Sequence, residues 1–291
     1  MRLSFEFFPP RTPVGKSKLL GVAGRLNRFR PEFFSVTYGA SGSTREGTAD
    51  TVRQLLDQDL AVAPHLSMGS DSVARIHALI DDYLGAGVRR MVALRGDRPS
   101  GVGGAPHPNN AEALVRVIRA HCGDALQLEV AGYPEIHPEA ASPAVDLEFL
   151  KRKVDAGANG IITQYFYNPY AFFDFRRRAE AAGIGVPIVP GIMPLTNFTN
   201  FVRFSRGCEA DVPRWLYKHL EAFREDDGTL REFGVEVVTR LCSDLIAAGV
   251  PGLHFYTLNR WEETTRICEN LGLGPETEAT PGSSAGILER A

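Results

Sequence analysis

A rhythm constrains this chain more than any single residue does. Eight short apolar runs recur, at residues 2–8, 33–38, 60–65, 90–95, 126–131, 160–166, 186–192 and 252–256. Each is followed by a stretch with helical spacing. Most of the runs are nearly continuous in apolar residues, as strands buried on both faces must be, and such strands belong to parallel sheets covered by helices. Amphipathic segments fall between them at 16–29, 46–57, 71–86, 110–120, 146–156 and 170–182, with a long region at 197–248 and a last segment at 260–271. Gly87, Gly157 and Gly183 stand where three of these segments should stop. Eight alternations predict an α/β fold, a single-domain (β/α)8 TIM barrel, in preference to an open doubly wound sheet. The barrel is expected over residues 1–271. The Gly-, Pro-, Ser- and Glu-rich residues 272–291 read as a flexible tail.

The 291 residues suit one barrel, and the net charge of −3, with no basic half, argues against nucleic acid as a partner. The four cysteines form no C-x-x-C pair, so neither zinc nor a redox dithiol is indicated, and a reducing cytoplasmic setting fits. The N-terminal apolar run is broken by Glu6 and two prolines, unlike a signal peptide. No run approaches the ~18 apolar residues of a membrane span.

In a barrel of this kind, chemistry gathers at the C-terminal ends of the strands. Polar residues fall there repeatedly: Glu6, Thr37 and Tyr38, His65, Arg95 and Asp97, Tyr133 with Glu135 and His137, Gln164, and Thr257 to Arg260. Each also has a plain structural role open to it. Glu6 could bridge to a neighbouring strand, Arg95 and Asp97 could pair locally, and Gln164 could cap a backbone group. Glu6 is flanked by Phe5, Phe7 and Phe8, so either it points at solvent or apolar surroundings raise its pKa and make it an acid at neutral pH. Lys151-Arg152-Lys153 reads as a solvated basic face or as an anchor for a diphosphate. The run from Gly101 to Gly104 lacks the strand-to-helix placement of a dinucleotide fingerprint.

Nine motifs in order carry a resemblance: SFEFFPPR (4–11), SVTYGA (35–40), APHL (63–66), VALRGD (92–97), YPEIHPEA (133–140), LKRKVDAGAN (150–159), ITQYFY (162–167), PGIMP (190–194) and HFYTLNR (254–260). Together they resemble bacterial 5,10-methylenetetrahydrofolate reductases, from about residue 3 to residue 271. The resemblance implies a (β/α)8 barrel that binds FAD noncovalently. It implies reduction of a folate substrate, 5,10-methylenetetrahydrofolate, to 5-methyltetrahydrofolate with NADH or NADPH, feeding methionine synthesis. A homo-oligomer is implied as well.

By the same resemblance Glu6 is the general acid, and Asp97 sits near flavin and pterin, stabilising the cationic iminium formed when the substrate ring opens. Gln164, Phe204 and Arg260 would contact substrate, and Thr37 would face the nicotinamide. The flavin contacts would be Tyr38, Ala40, His65, Arg95, Gly96, Asp97, Ala111, Tyr133, His137, Ala140, Asp146, Arg152 and Lys153. Three positions depart from the family pattern: Asn110 replaces a tyrosine, Phe149 an asparagine and Asn200 a glutamine. Two other readings compete with this one: a flavin barrel dehydrogenase acting on a cyclic imine or amino acid, and a folate-binding protein without redox activity.

Overall fold

The computed structural model describes residues 1–38, 45–69, 71–95 and 111–274. Eight parallel strands close into a barrel in chain order: β1 (Arg2–Phe7), β2 (Phe33–Val36), β3 (Val62–Ser67), β4 (Arg90–Leu94), β5 (Gln127–Gly132), β6 (Gly160–Tyr165), β7 (Ile188–Ile192) and β8 (Gly252–Tyr256). The seam is made by β8 pairing with β1, from Arg2 opposite Gly252 to Glu6 opposite Tyr256. Helices α1 (Pro13–Asn27), α2 (Arg45–Leu56), α3 (Val73–Gly85), α4 (Ala111–Cys122), α5 (Pro143–Asp155) and α6 (Pro169–Ala181) follow the first six strands. The long 197–248 region resolves into α7 (Phe198–Gly207), α8 (Arg214–Ala222) and α9 (Asp227–Ala247), and α10 (Glu262–Asn270) follows β8. The (β/α)8 expectation holds, with element ends displaced by a few residues.

Those displacements have a physical reason. Helices α1, α5 and α6 begin earlier than their apolar spacing suggests, because proline occupies the first helical position of each. Proline lacks only an N–H that has no partner there anyway. Thr12, Ser142 and Asn168 stand just before and accept hydrogen bonds from the Gly15, Val145 and Tyr170 N–H groups.

Strand alternation sorts the residues into two cores. Phe5, Phe7, Phe34, Val36, Val62, Met91, Leu128, Val130, Ile161, Leu253 and Phe255 point outward and bury against the helices. Phe33, Ala63, Val92 and Ile162 form a separate inner cluster that plugs the barrel. The same parity that turns Phe5 and Phe7 outward turns Ser4 and Glu6 inward.

Candidate active site

The inward residues at the C-terminal end of the barrel converge on Glu6. Its Oε2 lies 3.3 Å from His65 Nε2 on β3 and 3.5 Å from His254 Nε2 on β8. Ser35, opposite Glu6 on β2, donates from its hydroxyl to the same oxygen at 3.5 Å. His254 is fully buried, and its Nδ1 is 2.7 Å from the Ser4 hydroxyl, one inward position below Glu6 on β1. Tyr256, also inward, donates to the Thr163 carbonyl at 2.7 Å across the barrel top. Gly191 makes that crossing possible: a Cβ there would fall 2.1 Å from the Thr163 carbonyl and 2.6 Å from the Tyr256 ring.

This geometry corrects the expectation for Glu6. Burial pushes the carboxyl up, but His65 and His254 outweigh it and hold it at about 2. Two of the three flanking phenylalanines, Phe5 and Phe7, do not surround Glu6. Phe5 and Phe7 face the helices, where Phe7 stacks on Phe34 with ring centroids 5.4 Å apart. Ser4, Ser35 and His254 were not among the expected site residues. The available signal was parity, since each stands an even number of positions from, or directly beside, an inward residue.

A second group gathers around the loop after β5. Tyr133 and His137 meet edge to face at 4.6 Å. The His137 N–H donates to Asp146 at 3.1 Å, and His137 Nδ1 accepts from the Glu139 N–H at 3.0 Å. Burial lowers the His137 pKa, with Arg95 adding to the effect, and burial raises that of Asp146. Lys153 donates to the Ala131 carbonyl of β5, and burial brings its pKa down to about 8 in spite of Asp146. Ala111 opens α4, and Ala140 closes a turn onto the His137 carbonyl at 2.8 Å.

The expected anion anchors already have partners. Arg95 pairs with Glu139 at 2.5 Å, and Arg152 pairs with Glu112 at 3.0 Å while lying over the Phe149 ring at 4.6 Å. Lys151 is engaged with Asp155 on its own helix.

The remaining candidates come from other strands, loops and helices. Gln164 is half-buried, and its Oε1 accepts from the Tyr165 N–H at 3.0 Å, beside the register shift between β6 and β7. Phe204 lies on α7 under the Arg203 guanidinium, 4.8 Å from the ring centroid. Arg260 binds buried Glu263 of α10 through two nitrogens, at 3.2 and 3.3 Å. The Thr37 hydroxyl is buried at the mouth without a hydrogen-bond partner among the described residues, and Tyr38 is half-buried beside it. Ala40, Gly96, Asp97 and Asn110 lie outside the described residues. Among the described residues no group of His, Cys, Asp or Glu is arranged to hold a metal ion, and no helix is long and apolar enough to cross a membrane.

A closed parallel barrel with a part-buried carboxylate between two imidazoles at its C-terminal mouth defines a TIM-barrel enzyme. More particularly, the chain belongs to the methylenetetrahydrofolate reductase family of oxidoreductases, whose family model matches residues 1–272. It is 39% identical over 277 residues to the 5,10-methylenetetrahydrofolate reductase of Pectobacterium carotovorum, covering 95% of this chain and 92% of that one. It is likewise 39% identical over 276 residues to the Escherichia coli enzyme of that name, covering 94% and 92%. The Arabidopsis thaliana protein called methylenetetrahydrofolate reductase (NADH) 1 is 35% identical over 289 residues, and this chain spans 49% of its length.

Among solved structures, a Clostridium thermocellum protein described as binding two copies of 5-methyl-5,6,7,8-tetrahydrofolic acid superposes with a TM-score of 0.63 at 15% identity, over 92% of this chain and 93% of that one. Dihydropteroate synthase from Thermus thermophilus superposes with a TM-score of 0.51 at 12% identity, over 93% of each. At such identities these two likenesses speak for the barrel alone.

Proposed function

We propose that this chain reduces 5,10-methylenetetrahydrofolate to 5-methyltetrahydrofolate, taking hydride from NADH or NADPH by way of bound FAD and supplying methyl groups for methionine synthesis. The observation that carries the reading is the inward Glu6 carboxylate, placed between His65 and His254 in a chain of this family. The substrate's methylene bridge accepts hydride only after its five-membered ring opens to an iminium, and opening requires a proton on the departing nitrogen. Glu6 supplies that proton. Burial raises its carboxyl, but between the two imidazoles it is held at about 2. Seating a folate over it excludes water and strengthens the burial that opposes them, raising its proton affinity. The family-named NADH relatives support NADH as the donor.

The residues present fit a flavin. The Thr37 hydroxyl is a buried polar atom lacking a partner among the described residues, and Tyr133 and His137 offer aromatic faces at the same mouth. Arg95, Arg152 and Lys153 would hold the diphosphate and ribose side, with Tyr38, Ala40, Gly96, Ala111, Ala140 and Asp146 around it. An incoming diphosphate would compete with Glu139 for Arg95 and with Glu112 for Arg152. Bound FAD would supply a two-electron store between nicotinamide and folate. Asp97 would stabilise the iminium cation, Gln164, Phe204 and Arg260 would orient the folate, and Thr37 would meet the nicotinamide.

The test is the visible spectrum of the purified protein under anaerobic conditions, with NADH and then methylenetetrahydrofolate added. A flavin band that bleaches with NADH and returns with the folate is the expected result. Bleaching without recovery would keep the flavin but reject the folate. A colourless protein that still oxidises NADH with folate would reject the flavin.

A further inference from the structure

β1 ends at Phe7, and Phe8, Pro9 and Pro10 follow. The prolines have no N–H, so the β1–β8 ladder cannot continue through them. Phe8 still presents one backbone donor and one acceptor. A single side chain takes both. Asn259 Oδ1 accepts from the Phe8 N–H at 3.0 Å, and Asn259 Nδ2 donates to the Phe8 carbonyl at 2.8 Å. The amide orientation is forced, because a peptide nitrogen only donates and a carbonyl oxygen only accepts.

The same turn reaches Glu6 itself. Thr257 Oγ1 donates to the Glu6 carbonyl at 2.6 Å and accepts from the Asn259 N–H at 3.2 Å. Leu258 and Asn259 are both left-handed, with φ of 54° and 56°. Asparagine tolerates that region, whereas leucine enters it only under constraint. The two residues turn the chain after β8 so that the amide faces back onto β1 and Arg260 follows. Barrel closure does not need this device, since regular β1–β8 pairing already runs up to Glu6 opposite Tyr256. The clamp sits beyond that last rung, on the residues that flank the carboxylate.

We propose that Asn259 is a positioning residue for Glu6: by clamping both backbone groups of Phe8 with its side-chain amide, it sets where the carboxylate stands relative to His65 and His254. The inference rests on the reading of Glu6 as the proton donor. Asn259 touches neither the carboxylate nor the imidazoles. It prevents the β1 end from sliding or twisting, and so keeps the carboxylate within reach of the nitrogen to be protonated. Among the described residues, His65, His254, Ser35 and Tyr256 face Glu6.

Three holoenzyme variants test this: Asn259→Gly, Asn259→Asp and Glu6→Gln. Glycine keeps the left-handed backbone without strain and removes only the amide. Aspartate keeps an acceptor for the Phe8 N–H but opposes the Phe8 carbonyl with a carboxylate. For each, kcat and KM for methylenetetrahydrofolate, NADH–quinone turnover, the pH profile of folate turnover and the melting temperature are measured. In Asn259→Gly, folate kcat is expected to fall on the order of tenfold more than quinone turnover, with the folate KM little changed. The limb of the pH profile that disappears in Glu6→Gln should be displaced in Asn259→Gly. Equal loss of both turnovers, or a lowered melting temperature with an unmoved pH profile, would overturn the proposal. Should Asn259→Gly not fold, Asn259→Asp carries the same comparison. If Glu6→Gln itself retains folate turnover, the acid assignment fails and the positioning role with it. If Glu6→Gln loses folate turnover while Asn259→Gly behaves as the parent enzyme, only the positioning role fails.

Discussion

At the scale of the residue, Glu6 shows how little the neighbours in a sequence say about the neighbours in space. Its surroundings in the chain are aromatic, yet in the fold it is met by imidazoles, one of them 248 positions away. The electrostatic consequence has a definite sign. A carboxyl held at about 2 in the folded state, against an ordinary value near 4.5, adds stability that is fully present above pH 4.5. That contribution is lost as pH falls towards 2. Glu6→Gln should therefore be less stable than the parent at pH 7, by on the order of 3 kcal/mol at ~1.4 kcal/mol per pKa unit, and the gap should shrink at pH 3. Urea unfolding of both proteins at the two pH values measures it. A gap that does not change with pH would mean the imidazoles do not hold the charge. The same variant should lose folate reduction much more than NADH–quinone turnover, because only the first needs a proton on the departing nitrogen. Equal loss of the two would remove the acid role.

At the scale of the element, helix ends decide how the site's loops are presented. The α5 helix carries Asp146, Arg152 and Lys153, and it stops at Gly157, whose φ is 117°. A Cβ there would come 2.9 Å from Arg119 Cγ. Arg119 cannot easily withdraw, because its guanidinium donates to the carbonyls of Gly157, Gly123 and Leu126 at 2.9, 2.7 and 2.8 Å and also binds Asn159. That one side chain ties α4 to the entries of β5 and β6. Gly157→Ala combines backbone strain with this clash, and the expected loss is ~1–3 kcal/mol, read as a lower urea midpoint at unchanged slope. The glycine stops at Gly157 and Gly183 were visible in the sequence, since helical spacing ran straight into them. The proline starts are ambiguous in the sequence, because proline signals both a break and a first helical residue, and only the capping side chains Thr12, Ser142 and Asn168 separate the two meanings.

At the scale of the whole molecule, the barrel separates chemistry from stability along its axis. The C-terminal mouth holds Glu6 and its imidazoles. The opposite end is a cavity lined by Arg2, Glu32, Arg90 and Glu129, among others. There Arg90 binds buried Glu129, reaches Glu32 at 2.6 Å and covers the Phe33 ring at 4.7 Å. Burial pushes the Glu129 carboxyl up, and Arg90 is its main counterweight. Arg90→Ala leaves that carboxylate buried and unpaired, at a cost of ~3–5 kcal/mol. Thermal unfolding should show the loss, while turnover per folded molecule should stay near that of the parent. A large fall in specific activity with little change in melting temperature would contradict this division of labour.

The order of elements, the closed parallel barrel and the rim on which polar residues gather all followed from the chain alone. They depend on local periods, on β-then-α alternation and on handed crossovers, which a sequence displays directly. The motifs carried the family as well. What the chain could not reveal was the company each side chain keeps. Whether Phe5 or His254 surrounds Glu6 depends on strand parity and on β8 closing against β1. Whether Arg152 stands free or binds Glu112 depends on how α4 packs on α5. Contacts between distant segments set the electrostatics of the site, and only the folded barrel brings those segments together.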